Sequence, residues 1–397
     1  MSCFVAVDDK TPRVRRTHRS TECAARGGPK VGLECAQMLR EPQEGCLVIG
    51  DISGYTGLLA DTELDHAQDA LRDLIRTVVD RLRGPFRLAK LEGDAAFVYS
   101  PAARIDGSVL LDTLENAYFA FRRRLDAIAR ATSCDCNACV RIPSLNLKFV
   151  AHQGRFVVER LYGTDELTGA DVIVAHRLLK NGVTAATGLH GYVLLTDVCV
   201  AAAGLDPGAI GMREHREAYD ELGEIRGWLH DLEARWQRER ELKRVTVSDR
   251  TAFARIEADL SIPPEAAWTY LTDPGERARL IPGVERIDEV PSDGRRGVGT
   301  RNHCVHGDGA TLEEILDWRP FEYFTVESSI PGTLRFVSMT ELAPTDGGTH
   351  VTIRIQRPRG TRDRAALEAI GPEMVPRYQA TIDRLKQEIA LSAPTAS

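Results

Sequence analysis

Apolar positions along this chain recur in two rhythms, one helical and one extended, and together they predict most of its elements. Leu47–Ile49 reads as a buried strand. Over residues 64–84, Ala67, Ala70, Leu71, Leu74, Ile75 and Val78 recur at three-to-four spacing, which predicts an amphipathic helix. Phe86–Leu91 and Ala95–Tyr99 predict a hairpin bent at Glu92-Gly93-Asp94. The helical period returns over residues 108–131, with Leu110, Leu111, Leu114, Ala117, Phe119, Phe121 and Leu125 as core candidates. Asn146–Ala151 and Arg155–Tyr162 predict a second hairpin around Gln153-Gly154, followed by a short helix over Asp171–Leu179, a strand over Tyr192–Leu195 and an edge strand over 223–231. The order β-α-β-β-α-β is a ferredoxin-like signature, in which helices cover one face of an antiparallel sheet and leave the other free.

The pattern changes after residue 231. Residues 232–249 are charged and helix-prone, and read as a helical connector. Thr251–Ile262 alternates as a strand, Pro263-Pro264-Glu265-Ala266-Ala267-Trp268 opens a helix that ends near Asp273-Pro274, and Leu280-Ile281-Pro282-Gly283-Val284 follows. Strand-like stretches lie near 284–290, 298–305, 311–318, 322–329, 333–341 and 349–356, and residues 362–392 close as a long helix. The expected organisation is a tail over 1–44, an α+β unit over 45–231, the connector over 232–249 and a second α+β unit over 250–393.

Composition narrows the function classes. A hydrophobic content of 43% and a charged content of 27% suit an ordinary globular chain. The net charge of −7 gives no reason to expect nucleic acid or an anionic membrane as partner. No apolar stretch approaches the roughly 20 residues of a membrane span. Residues 10–30 hold seven basic side chains against Glu22 with no apolar run after them, which predicts a disordered tail rather than a secretory signal. Nine cysteines, an odd number with a single tight cluster, point to a reducing cytoplasmic setting rather than a disulfide framework.

The candidate chemistry starts with Asp51 and Asp94. Each follows a short apolar run beside glycine, in Leu47-Val48-Ile49-Gly50-Asp51-Ile52-Ser53-Gly54-Tyr55-Thr56 and in Lys90-Leu91-Glu92-Gly93-Asp94. Carboxylates at strand ends put hard oxygen ligands at a sheet edge, where two of them can hold Mg²⁺ against nucleotide phosphates. The two runs, 43 residues apart, resemble the metal-aspartate motifs of class III adenylate/guanylate cyclases, and the likeness extends over residues 46–200. His152-Gln153-Gly154 and Leu161-Tyr162-Gly163 resemble that family's middle hairpin. The resemblance implies two Mg²⁺ or Mn²⁺ ions held by Asp51, Asp94 and the carbonyl of Ile52. It implies base selection by Lys90 together with Glu166 or Asp165, charge stabilisation by Arg177 on a helix opened by Gly169, a nucleoside triphosphate substrate and an obligate homodimer. Ile173 stands where the family has a ribose-orienting Asn. Asp171–Asn181 also resembles a divergent bacterial cyclase-like family of unknown function. The second unit, by its element order and landmarks, resembles START-like, polyketide-cyclase-type (SRPBCC) helix-grip domains that bind small apolar ligands.

Two further groups stand out. Cys134, Cys136 and Cys139 form a C-x-C-x₂-C cluster in an expected loop, a candidate Zn²⁺ knuckle short of a fourth ligand or a set of reduced thiols. Arg301 and His303 share a face of one expected strand, where they would either line a ligand cavity or face solvent. Three readings follow: a cytoplasmic nucleotidyl cyclase tuned by a ligand-binding domain, a catalytically inactive nucleotide or metal sensor on the same fold, and a natural-product cyclase acting through the C-terminal unit.

Overall fold

The computed structural model describes residues 41–54, 64–131, 141–161, 164–307 and 309–392. The expected tail therefore lies outside the described residues up to Arg40, as do Cys134, Cys136 and Cys139, and Tyr55, Thr56, Tyr162 and Gly163 of the motifs above.

The first sheet opens with β1 (Gln43–Ser53), α1 (Leu64–Leu82), β2 (Arg87–Glu92), β3 (Ala95–Tyr99), α2 (Gly107–Ala131) and β4 (Asn146–Leu161). It continues with β5 (Thr164–Thr168), α3 (Ala170–Leu178), β6 (Tyr192–Thr196), β7 (Arg213–Tyr219) and β8 (Gly223–Asp231). The strands run β2-β3-β1-β4-β6-β8-β7, with β5 attached to β4. The first four strands thus take the ferredoxin-like order. Alternation along β1 divides its side chains between two faces. Cys46, Val48 and Ile52 pack with Leu74, Val78, Leu111, Leu114 and Phe121 of α1 and α2. Leu47 and Ile49 point the other way, toward Phe97, Phe156, Val172 and Ala175. Asp51 follows Leu47 and Ile49 by the same alternation and so belongs to the face opposite α1 and α2.

Two expectations are corrected here. No turn forms at Gln153-Gly154: β4 runs unbroken from Asn146 to Leu161 and pairs with β1 through Gly45↔Gly154 to Gln43↔Phe156. The missing Cβ of Gly154 serves close packing instead, since a methyl there would sit 2.3 Å from the Asp171 side chain. The sheet edge is also not residues 223–231. β8 is flanked by β6 and β7, and the edge is β7, whose mostly exposed, charged residues gave no hydrophobic rhythm to read.

The charged stretch after residue 231 forms α4 (Leu232–Glu241), and it is packed rather than spanning solvent. Trp236 is buried 5.5 Å from the Phe119 ring, with the guanidinium groups of Arg123 and Arg240 over its faces. The second sheet comprises β9 (Ala252–Leu260), β10 (Arg286–Val290), β11 (Arg301–His306), β12 (Gly309–Arg319), β13 (Tyr323–Ile330), β14 (Leu334–Thr345) and β15 (Gly348–Gln356). Its order is β10-β11-β12-β13-β14-β15-β9, antiparallel throughout. Helices α5 (Pro264–Thr272) and α6 (Pro274–Leu280) follow β9, and the long α7 (Thr361–Ser392) buries Leu367, Ile382, Leu385 and Ile389 in the core this sheet encloses. A strand, two short helices, six strands and a long helix are the α+β helix-grip order expected from the sequence.

Both sheets belong to one compact body, Arg40–Ser397, and a buried polar seam joins them. Arg295, from the segment between β10 and β11, donates to Asp112 at 2.9 Å and to Glu115 at 2.6 Å, both on α2. Arg235 reaches Glu115 at 2.9 Å, His230 lies 2.7 Å from the same carboxylate, and the Trp318 indole donates to Asp112 at 3.0 Å. Burial pushes the Asp112 carboxyl up to about 6 against the pull of Arg295. Glu115 is just as buried, yet Arg295 and Arg235 together hold it well below the usual carboxylate range. The difference lies in the number of cations each acid has within reach.

Candidate functional site

The two aspartates of the sequence meet at the strand-end edge of the first sheet, where β1 finishes beside the β2–β3 turn. Asp51 sits near the end of β1, opposite Ala95 of β3 on one side and Lys148 of β4 on the other. Asp94 is the second residue of the two-residue turn between β2 and β3, where Gly93 takes φ +68°, the positive angle that such a turn asks of its first residue. The amide of Ile52 donates to the carbonyl of Asp94 at 3.1 Å, which ties the end of β1 to the turn. Burial and then the charge of Asp51 raise the Asp94 carboxyl above its ordinary value.

A lysine that the sequence reading passed over completes this edge. Lys148 Nζ lies 3.2 Å from Asp51 Oδ2 and donates to the Leu179 carbonyl at 3.2 Å. Its signal was present in the chain: it is the one charged residue in the strand segment Leu147-Lys148-Phe149-Val150-Ala151. Alternation puts Leu147, Phe149 and Ala151 toward the helices and leaves Lys148 on the face of Asp51. Two carboxylates and one ammonium leave a formal charge of −1 at the edge. This donor set fits a hard divalent cation that takes one or two carboxylates and completes its shell with water and phosphate oxygens. Among the described residues no group of three or more His, Cys, Asp or Glu side chains is gathered for a metal, so two protein carboxylates are the supply at this edge.

The residues expected to read a base are also brought together. Lys90 Nζ lies 2.9 Å from Glu92 and 3.5 Å from Glu166, which β5 carries across to β2. The hydrogen bond that Lys90 donates to Glu92 dominates the upward shift of the Lys90 ammonium. His176 of α3 joins the cluster at 3.4 Å from Glu92, with its ring edge-on to Phe97 at 5.0 Å.

Helix α3 starts where the sequence places it. Gly169 caps it at φ +153°, and a methyl there would lie 2.8 Å from the Arg155 carbonyl. Gly169→Ala is therefore expected to lower stability by about 1–3 kcal/mol, and an unchanged urea midpoint would refute that strain. Arg177, near the other end of α3, pairs with Glu221 at 3.5 Å in the turn between β7 and β8. Within one chain the structure thus gathers Asp51, Asp94 and Lys148, and separately Lys90 and Glu166, while the partner of Arg177 is Glu221. Ile173 stands 56% exposed on α3, unusual for so large an apolar side chain.

The second sheet and α7 line an open cavity of about 200 Å³. Apolar walls come from Leu280, Val284, Phe324, Val326, Phe336 and Ile382. One wall is polar: Arg277 of α6 donates to both Glu313 oxygens at 3.0 and 2.8 Å, beside Cys304, Ser338 and Tyr378. Arg301 and His303 take no part. They project outward, Arg301 toward Glu314 with its side chain 75% exposed, because the inward residues of β11 are the alternate set Asn302 and Cys304. Arg277 escaped the sequence reading because it lies on a short helix with no motif around it.

Residues 251–390 match a family model described as polyketide cyclase / dehydrase and lipid transport. The C-terminal unit is a polyketide-cyclase-type domain. Residues 71–187 match the model of a family described as a protein of unknown function, DUF2652. The first four strands of the N-terminal unit take the ferredoxin-like order β2-β3-β1-β4. An uncharacterized protein of Mycobacterium tuberculosis is 39% identical over 129 residues, which is 32% of this chain and 58% of that protein, so the chain spans little more than half of its relative. Solved structures similar to this chain include the guanylyl cyclase Cya2, 13% identical over 48% of this chain and 92% of that one with a TM-score of 0.39. The adenylyl cyclase CyaB from P. aeruginosa is 17% identical over 48% of this chain and 96% of that one, with a TM-score of 0.36. Among the described residues no helix is long and apolar enough to cross a membrane.

Proposed function

We propose that this protein binds a nucleoside triphosphate at the Asp51–Asp94 edge and converts it slowly to a cyclic nucleotide as a homodimer, while the polyketide-cyclase-type domain holds a small apolar molecule that tunes the assembly. The observation that carries this reading is the meeting of Asp51 and Asp94 on the face left free by α1 and α2, with a net negative charge that a divalent cation would neutralise. Asp51 and Asp94 would hold Mg²⁺ or Mn²⁺, which when bound neutralises triphosphate charge and acidifies a nearby hydroxyl. Lys148 adds a fixed positive charge beside the phosphates. Lys90 and Glu166 present a donor and an acceptor to the edge of the base. Arg177 stabilises charge on the leaving group, as guanidinium groups do on phosphate.

Because Arg177 faces Glu221 within its own chain, the arginine at a working edge would be Arg177 of the partner subunit. A mixture of Asp51→Ala and Arg177→Ala chains is therefore expected to recover about a quarter of wild-type activity, since each mixed dimer keeps one intact site. No recovery on mixing, with mixed dimers demonstrated, would exclude the shared site.

Incubation with ATP, GTP, CTP and UTP in the presence of Mg²⁺ or Mn²⁺ tests the reading directly. A cyclic product that disappears in Asp51→Ala supports it. The exposed Ile173 on α3 favours a second reading, an inactive nucleotide sensor on the same fold, and nucleotide binding without any product would select that one.

A further inference from the structure

We propose that Arg296 couples the cavity of the polyketide-cyclase-type domain to the aspartate edge of the first sheet, by bridging the capping aspartates of two helices, α6 at the cavity and α2 beneath the sheet. This rests on the proposed tuning of the assembly by a molecule in the cavity, and it names the side chains that carry the coupling.

Both helices begin on an aspartate. Asp273 caps α6, its Oδ1 accepting from the Glu276 amide at 3.0 Å. Asp106 immediately precedes α2, and its Oδ1 accepts from the Val109 amide at 3.0 Å. Such caps satisfy backbone donors that a helix leaves free at its start. Arg296, from the segment between β10 and β11, lies between the two with its side chain 4% exposed. Its Nη1 sits 3.6 Å from Asp106 Oδ1, and its Nη2 sits 3.6 Å from Asp273 Oδ2. The Arg296 backbone amide also donates to Ser108 Oγ at 3.0 Å, which ties it to the first turn of α2.

One buried guanidinium thus serves three carboxylates, since Nε also donates to Glu289 at 2.8 Å. The Glu289 contact has the length of a charge-assisted hydrogen bond, whereas the two contacts to the capping aspartates are equal and longer. Glu289 therefore holds the group in place, and the looser pair leaves each helix start free to adjust against the other.

Each end of the bridge adjoins a site. Helix α6 gives Arg277 and Leu280 to the cavity lining, and α5 gives Tyr270 and Leu271. Leu280 is the buried residue of α6, a small anchor to which a molecule packed in the cavity would add. At the other end, Leu110, Leu111 and Leu114 of α2 belong to the same apolar cluster as Val48 and Ile52 of β1, the strand that carries Asp51. The two units also touch at α5, where a methyl at Gly84 would lie 2.1 Å from the Glu265 side chain. A molecule against Arg277 and Leu280 fixes α6, and through the shared guanidinium it steadies the first turns of α2. Coupling of this kind needs no change of shape, because fixing one end lowers the cost of ordering the other.

The test is hydrogen exchange of the full chain with and without saturating naphthalene, with binding followed by the probe's fluorescence. Naphthalene is apolar and suits a cavity of about 200 Å³, since a cavity of roughly 150 Å³ accepts benzene. Amides of residues 107–112 are expected to exchange about fivefold more slowly with the probe bound, the lower end of coupling between two sites. Asp273→Asn and Asp106→Asn each keep a capping oxygen and remove the charge that Arg296 meets. Each variant is expected to fold, to bind naphthalene and to lose the slowing. Unchanged exchange in the wild-type chain with naphthalene bound, or slowing that persists in either folded variant, would overturn the bridge and leave the cavity standing. Failure of naphthalene to bind the wild-type chain would overturn the cavity reading instead. None of these readouts needs nucleotide turnover, so each stands apart from the activity proposed at Asp51 and Asp94.

Discussion

Arg295→Met is expected to destabilise the folded body by about 3–5 kcal/mol, the cost of removing one partner from a buried ionic cluster. Among the described residues Arg295 is the one cation in close contact with Asp112, and it also binds Glu115; its own side chain is 9% exposed. Glu115 would keep Arg235 and His230, whereas Asp112 would keep only the Trp318 indole. The loss should deepen with pH. The Asp112 carboxyl already lies at about 6 in the folded chain against an ordinary 3.8, and removing Arg295 raises it further. A carboxyl raised in this way favours the folded state below its unfolded value, and that advantage is lost as pH rises through the folded value. Urea denaturation of the variant should therefore show a smaller deficit at pH 5 than at pH 8. Asp112→Asn added to Arg295→Met should flatten that pH dependence. A wild-type midpoint for Arg295→Met at pH 8 would show that the seam between the sheets contributes little.

Ile173→Asn is expected to raise the rate of cyclic nucleotide formation by about 10²-fold, the usual weight of one oriented hydrogen-bond donor in a transition state. The substitution is structurally mild because Ile173 is 56% exposed on α3 and outside the apolar clusters of the sheet. Its register is fixed by Gly169, whose φ of +153° and close approach to Arg155 set where the helix begins. Product formation by wild type and variant under saturating nucleotide and Mn²⁺ measures the effect. A rate unchanged or lowered in a folded dimer would show that the side chain at 173 does not reach the ribose.

How much of this was readable beforehand depends on which residues carried a pattern. The strand ending in Asp51 and the Glu92-Gly93-Asp94 turn were legible, because apolar alternation and a glycine with positive φ both leave marks in sequence. The six strands and closing helix of the second unit were legible for the same reason. The edge strand Arg213–Tyr219 was not, since a solvated edge demands no hydrophobic rhythm. The turn expected at Gln153-Gly154 was misplaced because a glycine needed for close packing against Asp171 looks, in sequence, like one needed for a bend. Arg301 and His303 were assigned a shared face correctly, but which face is inward depends on the register of β11 against β10 and β12.

The sequence by itself determined the order of most elements, the two apolar faces of β1 and the arrival of two carboxylates at strand ends. These follow from periodicities of a few residues, which any local stretch of chain displays. Only the tertiary structure decided that Lys148 meets Asp51 across β1 and β4, that Arg177 turns to Glu221, and that Arg277 and Glu313 close one wall of a cavity. It also decided that Arg295 joins α2 to the second sheet. Each of those contacts links residues from 36 to 183 positions apart. Such pairs form because burial forces charged groups to find partners, and the partner is chosen by where the folded elements place it rather than by anything written beside it in the chain.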